Sequence, residues 1–93
     1  MIRSFRSRDT ERLFRRERVP LWVNIEGAAL KRLTALDSAR LIGDLKFPPG
    51  HRLEALSGDR AGQHSIRIND KYRVCFTWKD GDAYDVEITK HYA

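Results

Sequence analysis

Residues 72–90, Tyr-Arg-Val-Cys-Phe-Thr-Trp-Lys-Asp-Gly-Asp-Ala-Tyr-Asp-Val-Glu-Ile-Thr-Lys, decide the fold. Apolar and polar side chains alternate on both sides of Asp80-Gly81, the period of two that gives a strand one buried face. The register of the resulting hairpin follows from the rule that directly opposed residues share a face. A two-residue Asp80-Gly81 turn would set Phe76 against Asp85 and Val74 against Glu87, mixing core with charge. A three-residue Lys79-Asp80-Gly81 loop, with Gly81 in a left-handed bulge position, instead pairs Phe76 with Tyr84, Val74 with Val86 and Tyr72 with Ile88. This second register is the predicted one. Upstream, the same argument around Asn69-Asp70-Lys71 pairs Ile68 with Tyr72 and Ile66 with Val74, so one apolar face runs across three strands, with Leu53 and His64 in the same set. Helices must cover it.

The first half of the chain supplies them. Ile2 to Phe5 suits a short strand, and the polar run from Ser7 to Thr10 can cap a helix over Glu11 to Arg16. After Val19-Pro20, the residues Trp22, Ile25, Ala29, Leu33 and Leu36 recur in steps of three and four, which predicts the best helix of the chain. Asp37 can cap a further helical stretch from Ser38 to Leu45, with Ala39, Ile42 and Leu45 on one side, and Pro48-Pro49-Gly50 stops it. The expected architecture is α+β, with a short N-terminal strand and helices on one face of a small twisted antiparallel sheet. A length of 93 residues suits one domain spanning all of it.

The opposite face carries the chemistry. The predicted register sends Ser65, Arg67, Arg73, Cys75, Thr77, Asp85, Glu87 and Thr89 there, makes Arg67 and Arg73 cross-strand neighbours, and sets Arg73 opposite Glu87. Two adjacent guanidiniums repel one another, whereas a phosphate between them accepts hydrogen bonds from both forks. Arg67 and Arg73 are therefore anion-site candidates, and the plain alternative is an Arg73–Glu87 surface pair of little energetic weight. The chain then runs into Lys90-His91-Tyr92, presenting an imidazole and a phenol beside this basic face. Histidine moves protons near neutral pH, as RNA cleavage by its own 2′-hydroxyl demands. His51 and His64 are weaker candidates.

Composition narrows the function classes. Eighteen Lys and Arg against thirteen Asp and Glu leave a net charge of +5, which concentrates polyanions near the surface and makes nucleic acid the first partner to consider. Between residues 3 and 18, seven arginines outnumber three acidic residues, either as a solvated face or as a contact for RNA or a protein partner. Cys75, the one cysteine, cannot form an intrachain disulfide, and no apolar run suits a signal peptide or membrane span, so the cytoplasm is the expected location. There is no Gly-rich phosphate loop, no spaced Cys and His ligand set and no Ser-centred nucleophile motif. Metal-free acid–base chemistry without a cofactor, or simple binding, remains.

The stretches Met1 to Phe5, Lys31 to Leu33, Leu36 to Ala39, Pro48 to Leu56, Gly58 to Arg60, Gly62 to Asn69, Tyr72 to Phe76 and Asp85 to Ile88 span nearly the whole chain in order. Together they resemble the HigB-like toxins of the RelE superfamily. The resemblance implies a RelE-like α+β fold and a type II toxin that cuts mRNA in the ribosomal A site without a metal ion, through in-line attack of the 2′-hydroxyl. It implies Arg73 for stabilising the phosphorane with Arg67 assisting, and His91 and Tyr92 for proton transfer. Where the family usually ends in Asp-Tyr-His this chain has Lys90-His91-Tyr92, so the acid and base roles are either exchanged between neighbours or weakened. Some members carry histidine and lysine where this chain has Glu54 and Ser57, which removes two groups implicated in cleavage, although Glu54 can itself serve as the base. Arg52, Arg60 and Lys90 are the expected RNA-backbone contacts by charge and location. The implied partners are the ribosome and mRNA, and a HigA-like helix-turn-helix antitoxin through which any operator DNA is reached. A binding module that has lost catalysis, and a gyrase poison of the ParE kind, are the competing classes.

Overall fold

The computed structural model describes residues 1–90. Helix α1 (Arg8–Phe14) is followed by a 3-10 segment, Pro20–Ile25, that leads into α2 (Glu26–Ser38). Two 3-10 turns, Ile42–Lys46 and Pro49–His51, then precede β1 (Glu54–Ala55), a third turn Gly58–Arg60, β2 (Gln63–Arg67), β3 (Tyr72–Lys79) and β4 (Asp82–Lys90). The strands form one antiparallel sheet in the order β1-β2-β3-β4. The α+β class is as expected.

The hairpin register differs from expectation, and the reason is physical. The turn is the two-residue one: Lys79 pairs with Asp82, while Asp80 and Gly81 take φ of 51° and 83°, both in the left-handed range. Register then shifts between Cys75 and Thr77, because Asp85 and Val86 together oppose Phe76. Asp85, at φ 53°, is the extra residue of a β-bulge. Without it, Val86 and Ile88 would turn to the far face and Glu87 would point under the helices. That would forfeit about 3–6 kcal/mol of apolar burial and bury a carboxylate, whereas holding one non-glycine residue left-handed costs about 1–2 kcal/mol. The bulge wins. Val74 consequently pairs with Ile88 and Tyr72 with Lys90, not with Val86 and Ile88, and Tyr84 sits opposite Thr77 while Ala83 takes the core position. The pairs Ile66–Val74 and Arg67–Arg73 are as predicted.

Residues Ile2 to Phe5 run parallel to β4, with bridges Ile2–Ala83 and Phe5–Val86. They close most of its outer edge: the Arg3 N–H donates to the Ala83 carbonyl at 2.8 Å and the Val86 N–H to the Ser4 carbonyl at 3.1 Å. The bulged Asp85 N–H is taken by the Ser4 hydroxyl at 2.9 Å. Two residues past Val86 on β4, the buried Thr10 hydroxyl of α1 accepts the Ile88 N–H at 3.0 Å.

Helix α1 starts at Arg8, three residues before the predicted Glu11, because the Ser7 hydroxyl accepts the Thr10 N–H at 3.2 Å. It cannot reach Arg16, which is left-handed at φ 66°. The long helix predicted from Trp22 divides, since Pro20 opens a 3-10 segment and Trp22 has a non-helical ψ of 22°; both Trp22 and Ile25 are still buried. Asp37 does not cap a second helix. It lies in the last turn of α2 and accepts the Ile2 N–H at 2.9 Å, while Asp44 takes the Arg40 and Leu41 N–H groups at 3.0 and 3.1 Å and so starts the short turn at Ile42. Ala39 and Leu45 are buried as expected. Leu13, Ala29, Leu33, Leu36 and Leu45 cover Ile66, Val74, Phe76, Val86 and Ile88 in one core. That leaves the other sheet face for the site.

Candidate active site

Across the far face, successive rows read Arg67–Arg73–Thr89, Ser65–Cys75–Glu87 and Gln63–Thr77–Tyr84, with Glu54 of β1 beside Ser65. The face is lined by polar side chains, and Ser65 and Cys75 at its centre are buried. A cleft of about 300 Å³ opens over it, bounded by Glu54 and Ser57 on one side, Arg60 at one wall, Arg73 and Cys75 on the floor, and Thr89 and Lys90 on β4. Among the described residues three cations and one carboxylate line it, a local excess of positive charge that favours an anion.

Arg73 is a more buried cation of the cleft than Arg60. Its side chain is 19% exposed; Nη1 lies 3.4 Å from the Ser65 hydroxyl and 4.0 Å from Glu54 Oε2. The guanidinium thus leans across β2 toward β1, beside the Glu54 carboxylate. Glu54 is more exposed, on a two-residue strand opposite Ser65. Arg60 is fixed from two strands at once, through Nη1 to Gln63 Oε1 at 2.9 Å and Nη2 to Glu87 Oε1 at 3.6 Å. Cys75 Sγ contacts the Thr89 hydroxyl at 3.4 Å, which makes it packing for the floor.

Two expectations change. The Arg73–Glu87 pair is not formed, because the bulge moves Glu87 opposite Cys75 and sets Thr89 opposite Arg73. Glu87 is instead held by Arg6, whose Nε is 3.3 Å from Oε2, and by Arg60. Arg67 is Arg73's strand partner but does not line the cleft: its guanidinium is paired to Asp70, and its carbonyl accepts Arg32 Nε at 2.7 Å. Arg52 is exposed at a left-handed φ of 46°, outside the cleft lining. The structure therefore brings together Glu54, Arg60, Arg73 and Lys90, and leaves Arg67 and Arg52 outside the lining. His91 and Tyr92 lie outside the described residues.

The remaining histidines sit elsewhere. His51 is buried, with Nδ1 3.2 Å from the Leu45 carbonyl, and burial above all, then the charge of Arg32, depresses its pKa. His64 stacks on Phe76 with ring centroids 6.2 Å apart. Among the described residues no cluster of three or more His, Cys, Asp or Glu side chains is placed to hold a metal ion, and no helix is long and apolar enough to cross a membrane. Sequence reasoning missed the hold of Gln63 and Glu87 on Arg60. No local spacing signals it, because it depends on how the loop before β2 folds back over β3.

Comparison with known proteins identifies relatives of the chain. The model of the HigB-like toxin family, described as RelE-like toxins of the type II toxin–antitoxin system HigB, matches residues 3–91. The chain is 43% identical to toxin HigB-1 of Vibrio cholerae over 68 residues, 73% of this chain and 72% of that one. It is 42% identical to endoribonuclease HigB of Proteus vulgaris over 53 residues, 57% and 56% of the two chains. Among solved structures, a chain of the YoeB-YefM complex from Staphylococcus aureus superposes with a TM-score of 0.58 over 99% of both chains at 16% identity, a likeness of fold.

Proposed function

This chain belongs to the HigB-like family of RelE-like type II toxins, and we propose that it is an endoribonuclease that cuts mRNA on the ribosome without a metal ion. The observation that carries the proposal is the cleft itself, where Arg73 stands 4.0 Å from the Glu54 carboxylate with Arg60 and Lys90 at the margins.

The chemistry needs three services. A base must take the proton of the 2′-hydroxyl, a cation must steady the charge of the pentavalent phosphorane, and an acid must protonate the departing 5′-oxygen. Glu54 takes the first role and Arg73 the second, its planar fork matching two non-bridging oxygens. His91 and Tyr92, which follow Lys90 in sequence, are assigned to the third. The 2′-oxygen bonds to phosphorus, the P–O5′ bond breaks, and the products are a 2′,3′-cyclic phosphate and a 5′-hydroxyl. Arg60, Lys90 and the exposed Arg52 contact the RNA backbone. Arg67 assists from outside the cleft and must first loosen its hold on Asp70, so its share is smaller than Arg73's. The chain acts as one domain in the cytoplasm, bound and silenced by a helix-turn-helix antitoxin of HigA type, through which it reaches operator DNA.

The test is a translating extract supplied with purified protein. Wild type should cut mRNA within codons, Arg73→Ala should lose about 100- to 1000-fold, and Arg67→Ala less than about tenfold. Undiminished cutting by Arg73→Ala would remove the mechanism. The presence of Glu54 and Ser57 at positions where some relatives carry histidine and lysine favours a second reading, a binding module acting through antitoxin and operon. Wild-type protein that neither cuts nor arrests growth, yet binds its antitoxin, would select that reading.

A further inference from the structure

The Arg60 guanidinium lies diagonally across β3. One nitrogen donates to Gln63 on β2 at 2.9 Å and another pairs with Glu87 on β4 at 3.6 Å, although the two acceptors belong to adjacent rows of the sheet. Glu87 is itself 15% exposed and anchored from the other side by Arg6 at 3.3 Å. Arg60 comes from a loop whose only regular element is a three-residue turn, so the loop backbone alone does not set the direction of so long a side chain. A strand residue and its anchoring arginine do.

We propose that Glu87 is a positioning residue: with Gln63 it straps Arg60 across β3, so that a guanidinium edge at the wall of the cleft faces a bound phosphate opposite Arg73. This rests on the nuclease reading only for the identity of the ligand. Glu87 does not line the cleft and acts through Arg60. The Asp85 bulge is what turns Glu87 to this face, so the bulge places both the core residues of β4 and the strap.

The sign of the expected effect separates positioning from charge. Removing a carboxylate beside an anion site strengthens its positive potential and by charge alone tightens RNA binding. Loss of the strap works the opposite way, because a freed Arg60 must be ordered at each binding event.

The full chain as Glu87→Ala, Glu87→Gln, Arg60→Ala and the Glu87→Ala/Arg60→Ala double variant should be compared for cleavage in translating extract and for binding of a fluorescent single-stranded RNA oligonucleotide. Melting temperatures confirm that each is folded. Glu87→Ala should weaken RNA binding and cleavage about fivefold, Glu87→Gln, which keeps the side-chain shape but not the charge paired with Arg60 at 3.6 Å, should weaken both by less, and Glu87→Ala should change neither once Arg60 is gone. Tighter binding by Glu87→Ala, or losses that multiply in the double variant, would overturn the strap while leaving the nuclease intact. If wild type cuts nothing but the coupling in RNA binding persists, the nuclease reading fails and the strap stands. Should Glu87→Ala unfold, the Glu87→Gln variant and the RNA affinity of Gln63→Ala carry the test, and an unchanged affinity in Gln63→Ala with Arg60 intact counts against it.

Discussion

Replacing Thr10 by valine should show how much of the sheet's edge rests on one hydroxyl. Thr10 is fully buried in α1 and accepts the Ile88 N–H at 3.0 Å, just beyond the last bond that the N-terminal segment makes to β4. Valine keeps the shape and one methyl but offers no acceptor, so a buried amide is left unpaired at a cost of about 1–3 kcal/mol. In a domain of this size each kcal/mol moves the melting temperature by about 4–8 °C, which gives a fall of about 4–24 °C. Thr10→Ser keeps the acceptor and loses only a methyl, costing about 1 kcal/mol. Urea unfolding followed by tryptophan fluorescence, with amide exchange at Ile88, measures both variants. If Thr10→Val is as stable as wild type to within about 0.5 kcal/mol, and Ile88 stays equally protected, the hydroxyl does not close the edge and the reasoning is wrong.

Acid should destabilise the protein through His51, whose pKa is depressed by burial in the folded state. Its contribution to stability is whole above the unfolded value of about 6.5 and is lost as pH falls from there through the folded-state value, because the unfolded chain binds the proton more readily. His51→Asn, which can still donate to the Leu45 carbonyl, should lower stability at pH 7.5 but flatten its decline between about pH 6.5 and 5; an undiminished decline in that variant would assign the effect to other groups. At the bulge, Asp85→Gly should stay within about 0.5 kcal/mol of wild type, whereas Asp85→Val, forcing a β-branched side chain to φ 53°, should cost about 1–2 kcal/mol in denaturant melts; equal stability of the two would mean the left-handed backbone is not a constraint.

Most of the fold was legible because burial is written in periodicity. The alternation in β2 and β3 placed Ile66, Val74 and Phe76 in the core and paired Arg67 with Arg73, and steps of three and four placed Ala29, Leu33 and Leu36 against them. Charge and core do keep to opposite faces of β4, as expected. Two devices achieve this, however, a longer turn or a bulge, and alternation alone does not choose between them; Asp85 carries no glycine to mark the choice. Helix boundaries slipped where side-chain acceptors compete for backbone N–H groups, as Asp37 is taken by Ile2 and Asp44 by the next turn. In the site, parity put Arg73, Cys75 and Thr89 on the right face. It could not show that Asp70 holds Arg67 or that Glu87 serves Arg60 and Arg6, since those partners come from loops and from the N-terminal segment.

The parallel run of Ile2 to Phe5 beside Ala83 to Val86 joins segments about 80 residues apart in sequence. Contacts of such large sequence separation form late, and during synthesis they must wait until β4 has left the exit tunnel. Glu87, Thr89 and Lys90 travel on that strand. A ribosome making this chain therefore cannot meet its finished cleft on the same nascent polypeptide while β4 is still inside, a delay built into topology alone.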